Sequence, residues 1–170
     1  MYLINFITMQ KPGNKKGDAL DPLSDFFNNH HDKLVCTANK HGVPNVSIMG
    51  TPRIMESGDI VFHISDPISV TMDNMRENKE VVFMAYVPGE RARDYHGVRI
   101  YTEVTEITSS GEKFGLIKEK ISERFGKDKA DELLASITCR VKKVRPVVDR
   151  GQQWNEPYVI FKQMMTKAST

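Results

Sequence analysis

Five hydroxyl-bearing residues and one arginine carry the chemistry most open to this chain. Ser65, Ser69 and Thr71 bracket the start of a short helical segment, and Ser47, Thr51 and Arg53 lie on a strand before it. Hydroxyls and backbone N–H groups at a helix start suit an anion. A phosphate-bearing cofactor is the natural occupant. The same hydroxyls also satisfy the orphan N–H groups of a helix start, and both roles are open to different members of the cluster. Arg53 either forks onto a phosphate or carboxylate or ends a strand in solvent.

Other chemistries find less support. No serine sits in a nucleophile elbow, and no carboxylate pair is placed for hydrolysis, so no catalytic residue is assigned. Cys36 and Cys139 lie far apart without a C-x-x-C or ligand-spaced histidines, so no metal site is expected and both thiols read as buried and inert. The histidines are scattered. His63 is opposite in phase to Phe62 and Ile64, which would turn it to the cofactor side. With 24 basic and 22 acidic side chains the charge is nearly balanced, which gives no support to a nucleic-acid partner. No apolar run approaches the roughly 20 residues needed to span a bilayer. Residues 1–7 are too short and lack the basic start of a secretory signal, so a cytoplasmic protein is expected.

The elements that must position these residues are mostly strands. Residues 1–20 read as a flexible arm, polar over 8–18, and Asp21-Pro22 starts a short helix carrying Leu23, Phe26 and Phe27. Period-two alternation then marks strands over 33–40, 45–53 and 59–65, with Asn39 to Gly42 and Glu56 to Asp59 as turns. Pro67 suits the first turn of a helix that runs over 69–78, and apolar strands follow at 81–87 and 97–107. Ser109 and Glu112 fit a capping box for a helix with the stripe Phe114, Ile117, Ile121 and Phe125. A shorter helix over 128–136 and a last strand over 137–144 complete the domain, 21–145, and 146–170 forms a C-terminal extension. Short turns between successive strands predict an antiparallel barrel with added helices, a mainly β, α+β fold.

In this order, three pieces resemble the pyridoxamine 5'-phosphate oxidase-like flavin-binding split barrels. They are Ala38-Asn-Lys-His-Gly-Val-Pro-Asn-Val-Ser47, Met49-Gly-Thr-Pro-Arg53 with Gly58-Asp-Ile-Val-Phe62, and Ser69 through Val81. The resemblance implies a six-stranded antiparallel Greek-key split barrel with flanking helices. It also implies a homodimer with FMN at the subunit interface. By the family's pattern Ser47, Ile48, Met49, Gly50 and Thr51 run along the flavin ring. Ser65, Ser69 and Thr71 lie at its phosphate, with Arg53 as a further candidate. Trp154 is either a packing anchor or, as the family allows, an aromatic lid on the ring. One departure stands out: many members carry lysine at or just before the position of Thr71, and this chain has Val70-Thr71.

The resemblance implies a flavin-dependent oxidoreductase of unknown substrate, in which the ring carries the redox chemistry and the protein orients it. A non-enzymatic flavin-binding or flavin-storing protein fits the same residues. So does a haem- or deazaflavin-binding relative, since split barrels host these too. Pyridoxamine phosphate oxidation itself is not expected, because the C-terminal segment lacks that enzyme's basic substrate cluster.

Overall fold

The computed structural model describes residues 22–149. Trp154, the N-terminal arm (1–20) and most of the C-terminal extension lie outside the described residues. Within them, one helix, α1 (Pro22–Asn29), precedes a curled antiparallel sheet of seven strands. The strands are β1 (Lys33–Ala38), β2 (Pro44–Met49), β3 (Arg53–Ile54), β4 (Ile60–Ile64), β5 (Glu80–Val87), β6 (His96–Thr108) and β7 (Ala135–Pro146). Helix α2 (Val70–Glu77) connects β4 to β5, and α3 (Gly111–Phe125) with α4 (Lys127–Asp131) connects β6 to β7. The sheet order is β2-β1-β5-β6-β7-β4-β3, the split-barrel plan expected from the sequence.

Inward side chains follow the alternation. Ile60, Phe62 and Ile64 of β4 are buried, as are Val98, Ile100, Thr102 and Val104 of β6. Phe83 joins the two ends of the core, edge-on to Phe27 at 6.2 Å and to Phe62 at 5.5 Å between ring centroids. Among the described residues no helix is long and apolar enough to cross a membrane.

Several expectations need correction. The strand expected over 45–53 breaks after Met49, which pairs with Lys33, the first residue of β1, so that the ladder has no partner beyond it. Its last part becomes the separate two-residue β3, at the opposite sheet edge from β2, which makes seven strands rather than six. Pro67 lies in a turn before α2, and Ser69 is the N-cap. The capping box at Ser109 does not form, since Ser110 occupies the N-cap without a side-chain bond. Helix α4 stops at Asp131, and β7 begins already at Ala135. The stripe on α3 is only partly covered: Phe114 is buried, Ile117 and Ile121 are half-buried, and Phe125 is exposed.

Two asparagines fasten helices to the sheet. Asn28 at the end of α1 receives the Ile54 N–H at 2.8 Å and donates to the Ile54 carbonyl at 2.9 Å, so its amide acts as the missing neighbour of edge strand β3. Asn74 of α2 donates to the Thr37 hydroxyl at 3.1 Å inside the fold. These contacts fix α1 beside β3 and α2 beside β1.

Candidate functional site

A cavity of about 500 Å³ opens between β2, the end of β4 and the start of α2. Strand β2 supplies one wall. As an edge strand it buries neither face fully: Asn45, Ser47 and Met49 are half-buried toward α2, while Val46 and Ile48 stand in solvent. Gly50 and Thr51 continue that wall as the chain leaves the strand. The Thr51 hydroxyl bridges to β4, donating to the His63 carbonyl at 3.4 Å and accepting the His63 N–H at 3.5 Å. It closes a gap where no ladder runs.

The hydroxyls at the helix start divide their roles. The Ser69 side chain caps α2 by accepting the Met72 N–H at 3.3 Å. Thr71 is buried, and its hydroxyl accepts from Asn45 Nδ2 at 3.1 Å and is hydrogen-bonded to Ser47 Oγ at 3.0 Å. Ser47 in turn reaches the Val35 carbonyl at 3.5 Å. This polar cluster stands where apolar packing would otherwise join α2 to β2. Ser65 is exposed on the cavity rim, and the first-turn N–H groups of Val70 and Thr71 have no partner within the helix. None of these three donors has a partner among the described residues.

Eight residues expected at a cofactor therefore line one cavity: Ser47 to Thr51, Ser65, Ser69 and Thr71. Arg53 does not line it. It sits on β3, and its guanidinium donates to the Asn28 carbonyl at the end of α1. Burial, then the charge of Arg124, holds the Arg53 pKa below its ordinary value.

No lysine or arginine is among the described residues lining the cavity, and Asp66 adds a carboxylate. Asp66 Oδ1 is held in a turn by the Ile68 N–H at 3.0 Å. His63 also lines the cavity, and burial pulls its pKa below the ordinary histidine value, which favours the neutral ring. Sequence reasoning missed Asn45, Ile64, Asp66, Ile68 and Val70 as cavity lining. Asn45 was recoverable, because it shares the period-two face of Ser47. Ile68 and Val70 precede or open α2 outside its apolar stripe, and nothing in their spacing marks them as cavity wall.

No family model matches the chain, and no curated protein matches it in sequence. Solved structures do match in fold. An FMN-binding protein from Syntrophomonas wolfei subsp. wolfei is similar at 18% identity and a TM-score of 0.58, over 74% of this chain and 84% of that one. HupZ from Group A Streptococcus is similar at 19% identity and a TM-score of 0.59, over 77% and 95% of the two chains. HutZ, the heme storage protein of Vibrio cholerae, is similar at 16% identity and a TM-score of 0.52, over 71% and 89%. At these identities the likeness is one of architecture. The chain has the split-barrel fold, with its groove between an edge strand and a helix start.

Proposed function

We propose that this chain is a flavin-binding protein that holds FMN in the groove, with the ring along Ser47 to Thr51 and the phosphate at Ser65 and the start of α2. One observation carries the reading. An apolar wall of Ile48, Met49 and Ile68 meets unclaimed hydroxyl and N–H donors within a single cavity of about 500 Å³. A planar apolar ring with an anionic tail suits that pairing. The likeness in fold to an FMN-binding protein supports it. The donor set fits the phosphate through hydrogen bonds and the helix dipole rather than through a cation, and Asp66 weakens it.

When bound, the flavin supplies electron and hydride chemistry at its ring. Ser47 and Thr71 hold the wall against which the ring would lie, and the Thr51 hydroxyl fixes β4 across from it. Absorbance of the protein as purified, followed by FMN titration, tests the reading. Flavin bands are expected; a protein that stays colourless after FMN addition overturns it. Bleaching of the bound flavin by NADH or NADPH would extend the reading to an oxidoreductase, and its absence would leave a carrier.

A second reading, haem binding, would draw on the histidine of the same cavity. His63 brings a neutral imidazole to the cavity, and the fold is similar to that of a heme storage protein. A Soret band in the purified protein would favour it.

The phosphate placement has its own test. Ser65→Ala is expected to weaken FMN binding about tenfold, the scale of one hydrogen bond to a charged group. Riboflavin binding should hardly change. Equal losses for both ligands would show that Ser65 acts elsewhere than at the phosphate.

The same groove lies beside an uncovered apolar face, and we propose that a second copy of the chain covers it. Val46 is 59% exposed, Ile48 70% and Ile68 83%, on and beside a free strand edge. Ile48→Glu is therefore expected to shift the protein from dimer to monomer in sedimentation velocity and to reduce FMN affinity along with it. An unchanged sedimentation coefficient would overturn the covering of this face by a second copy.

A further inference from the structure

We propose that His63 is the ring-facing hydrogen-bond donor of the groove, held as its Nε2–H tautomer, and that it selects a ring with an acceptor edge over a haem iron. The inference rests on the flavin reading above and names the residue that recognises the ring. His63 stands in β4 between Phe62 and Ile64, both turned into the core, so its own side chain faces the opposite way and lines the cavity. Its backbone is fixed on both sides, by the ladder to Ser136 and by the bridge to Thr51.

The two ring nitrogens are not equivalent. Nδ1 is buried and has no hydrogen-bond partner among the described residues. A neutral imidazole carries one N–H and one lone pair. A proton on Nδ1 would strand a buried donor, whereas a proton on Nε2 leaves only an unfilled lone pair inside. Orphaned buried N–H groups are the rarer of the two in folded proteins. The Nε2–H tautomer is therefore favoured, and it presents a donor to the groove. Isoalloxazine offers ring nitrogen and carbonyl acceptors to such a donor.

Ligation of haem iron requires the opposite arrangement. The iron takes the Nε2 lone pair, so the proton must move to Nδ1, where metal-bound histidines ordinarily find a carbonyl or carboxylate. Here Nδ1 has neither.

The tautomer can be read directly in the wild-type protein. Long-range ¹⁵N–¹H correlation of histidine-labelled protein is expected to give the Nε2–H pattern for His63, and an Nδ1–H pattern overturns the proposal. In binding, His63→Leu is expected to weaken riboflavin and FMN equally, by about tenfold, and His63→Gln, which keeps a donor, to recover most of the loss. Unfolding curves of both variants check that the fold is kept. Unchanged flavin affinity in His63→Leu overturns the donor role while leaving the flavin reading intact. Failure of the wild type to bind either flavin overturns that reading and this inference together. A hemin titration whose histidine-ligated Soret band disappears in His63→Leu also overturns it, because it would place the free lone pair at Nε2.

Discussion

Gly97→Val is expected to lower stability by about 3 kcal/mol, the upper range of overpacking a well-fitted interior. For a chain of this size that is a fall of about 10 °C in melting temperature. Gly97 is the second residue of β6 and pairs with Tyr86 of β5. A Cβ at this position would lie 2.3 Å from the Ala85 carbonyl oxygen and 2.6 Å from the Tyr86 Cα. Both are backbone atoms, so no rotamer change relieves the overlap and the two strands must part. The Gly97 carbonyl also accepts the Val147 N–H at 2.9 Å, so the end of β7 would be disturbed as well. Gly115 of α3 gives the contrast, because nothing lies within 4 Å of a Cβ built there. Gly115→Ala is expected to gain about 0.5–1 kcal/mol from helix propensity alone. Thermal unfolding of both variants reads the pair, and a neutral Gly97→Val would contradict the close approach of β5 and β6.

The same contrast between what touches locally and what meets across the sheet explains how far the sequence can be read. Alternation at Ile60, Phe62 and Ile64 is a local pattern, and it predicts the buried face of β4 correctly. Ser69 declares itself as a cap because its partner, Met72, is three residues away. Arg53 is different. Its distance from Thr51 is two residues, yet the β2 ladder ends before both, and β3 pairs with β4 at the far edge of the sheet. The partner of its guanidinium, Asn28, lies 25 residues back on α1, where no spacing rule reaches. Thr71 shows a milder form of the same limit. A hydroxyl at the second position of a helix reads as an open donor until the fold brings Asn45 and Ser47 against it. The neighbourhood of the groove was legible in the order of its segments; the division of labour among its hydroxyls depends on contacts about 25 residues apart.

Lys33 is expected to make stability rise with pH on the alkaline side of neutrality, and Lys33→Met is expected to abolish that rise. The side chain is fully buried at the start of β1, with its ammonium donating to the His30 carbonyl and lying 5.0 Å from the centre of the Phe27 ring. Burial first, and then the neighbouring charge of Arg53, pulls its pKa from 10.5 to about 8, against a smaller opposing effect of Asp32. Between these two values the unfolded chain holds the proton and the folded chain has released it. Stability must therefore increase as pH rises from about 8 to 10.5, by about 3 kcal/mol at full development. Cys139 acts with the opposite sign. Burial pushes its thiol from 9.0 up to about 12, so the unfolded chain loses that proton first and stability falls as pH climbs through this range. A single curve of wild-type stability would blend the two. The difference between wild type and Lys33→Met, from urea unfolding at pH 7.5, 9 and 10.5, removes the thiol contribution common to both. It is expected to climb across that window, and a flat difference would show that the Lys33 ammonium titrates as it does in water. Lys33 pairs in register with Met49, the last residue of the strand that walls the groove.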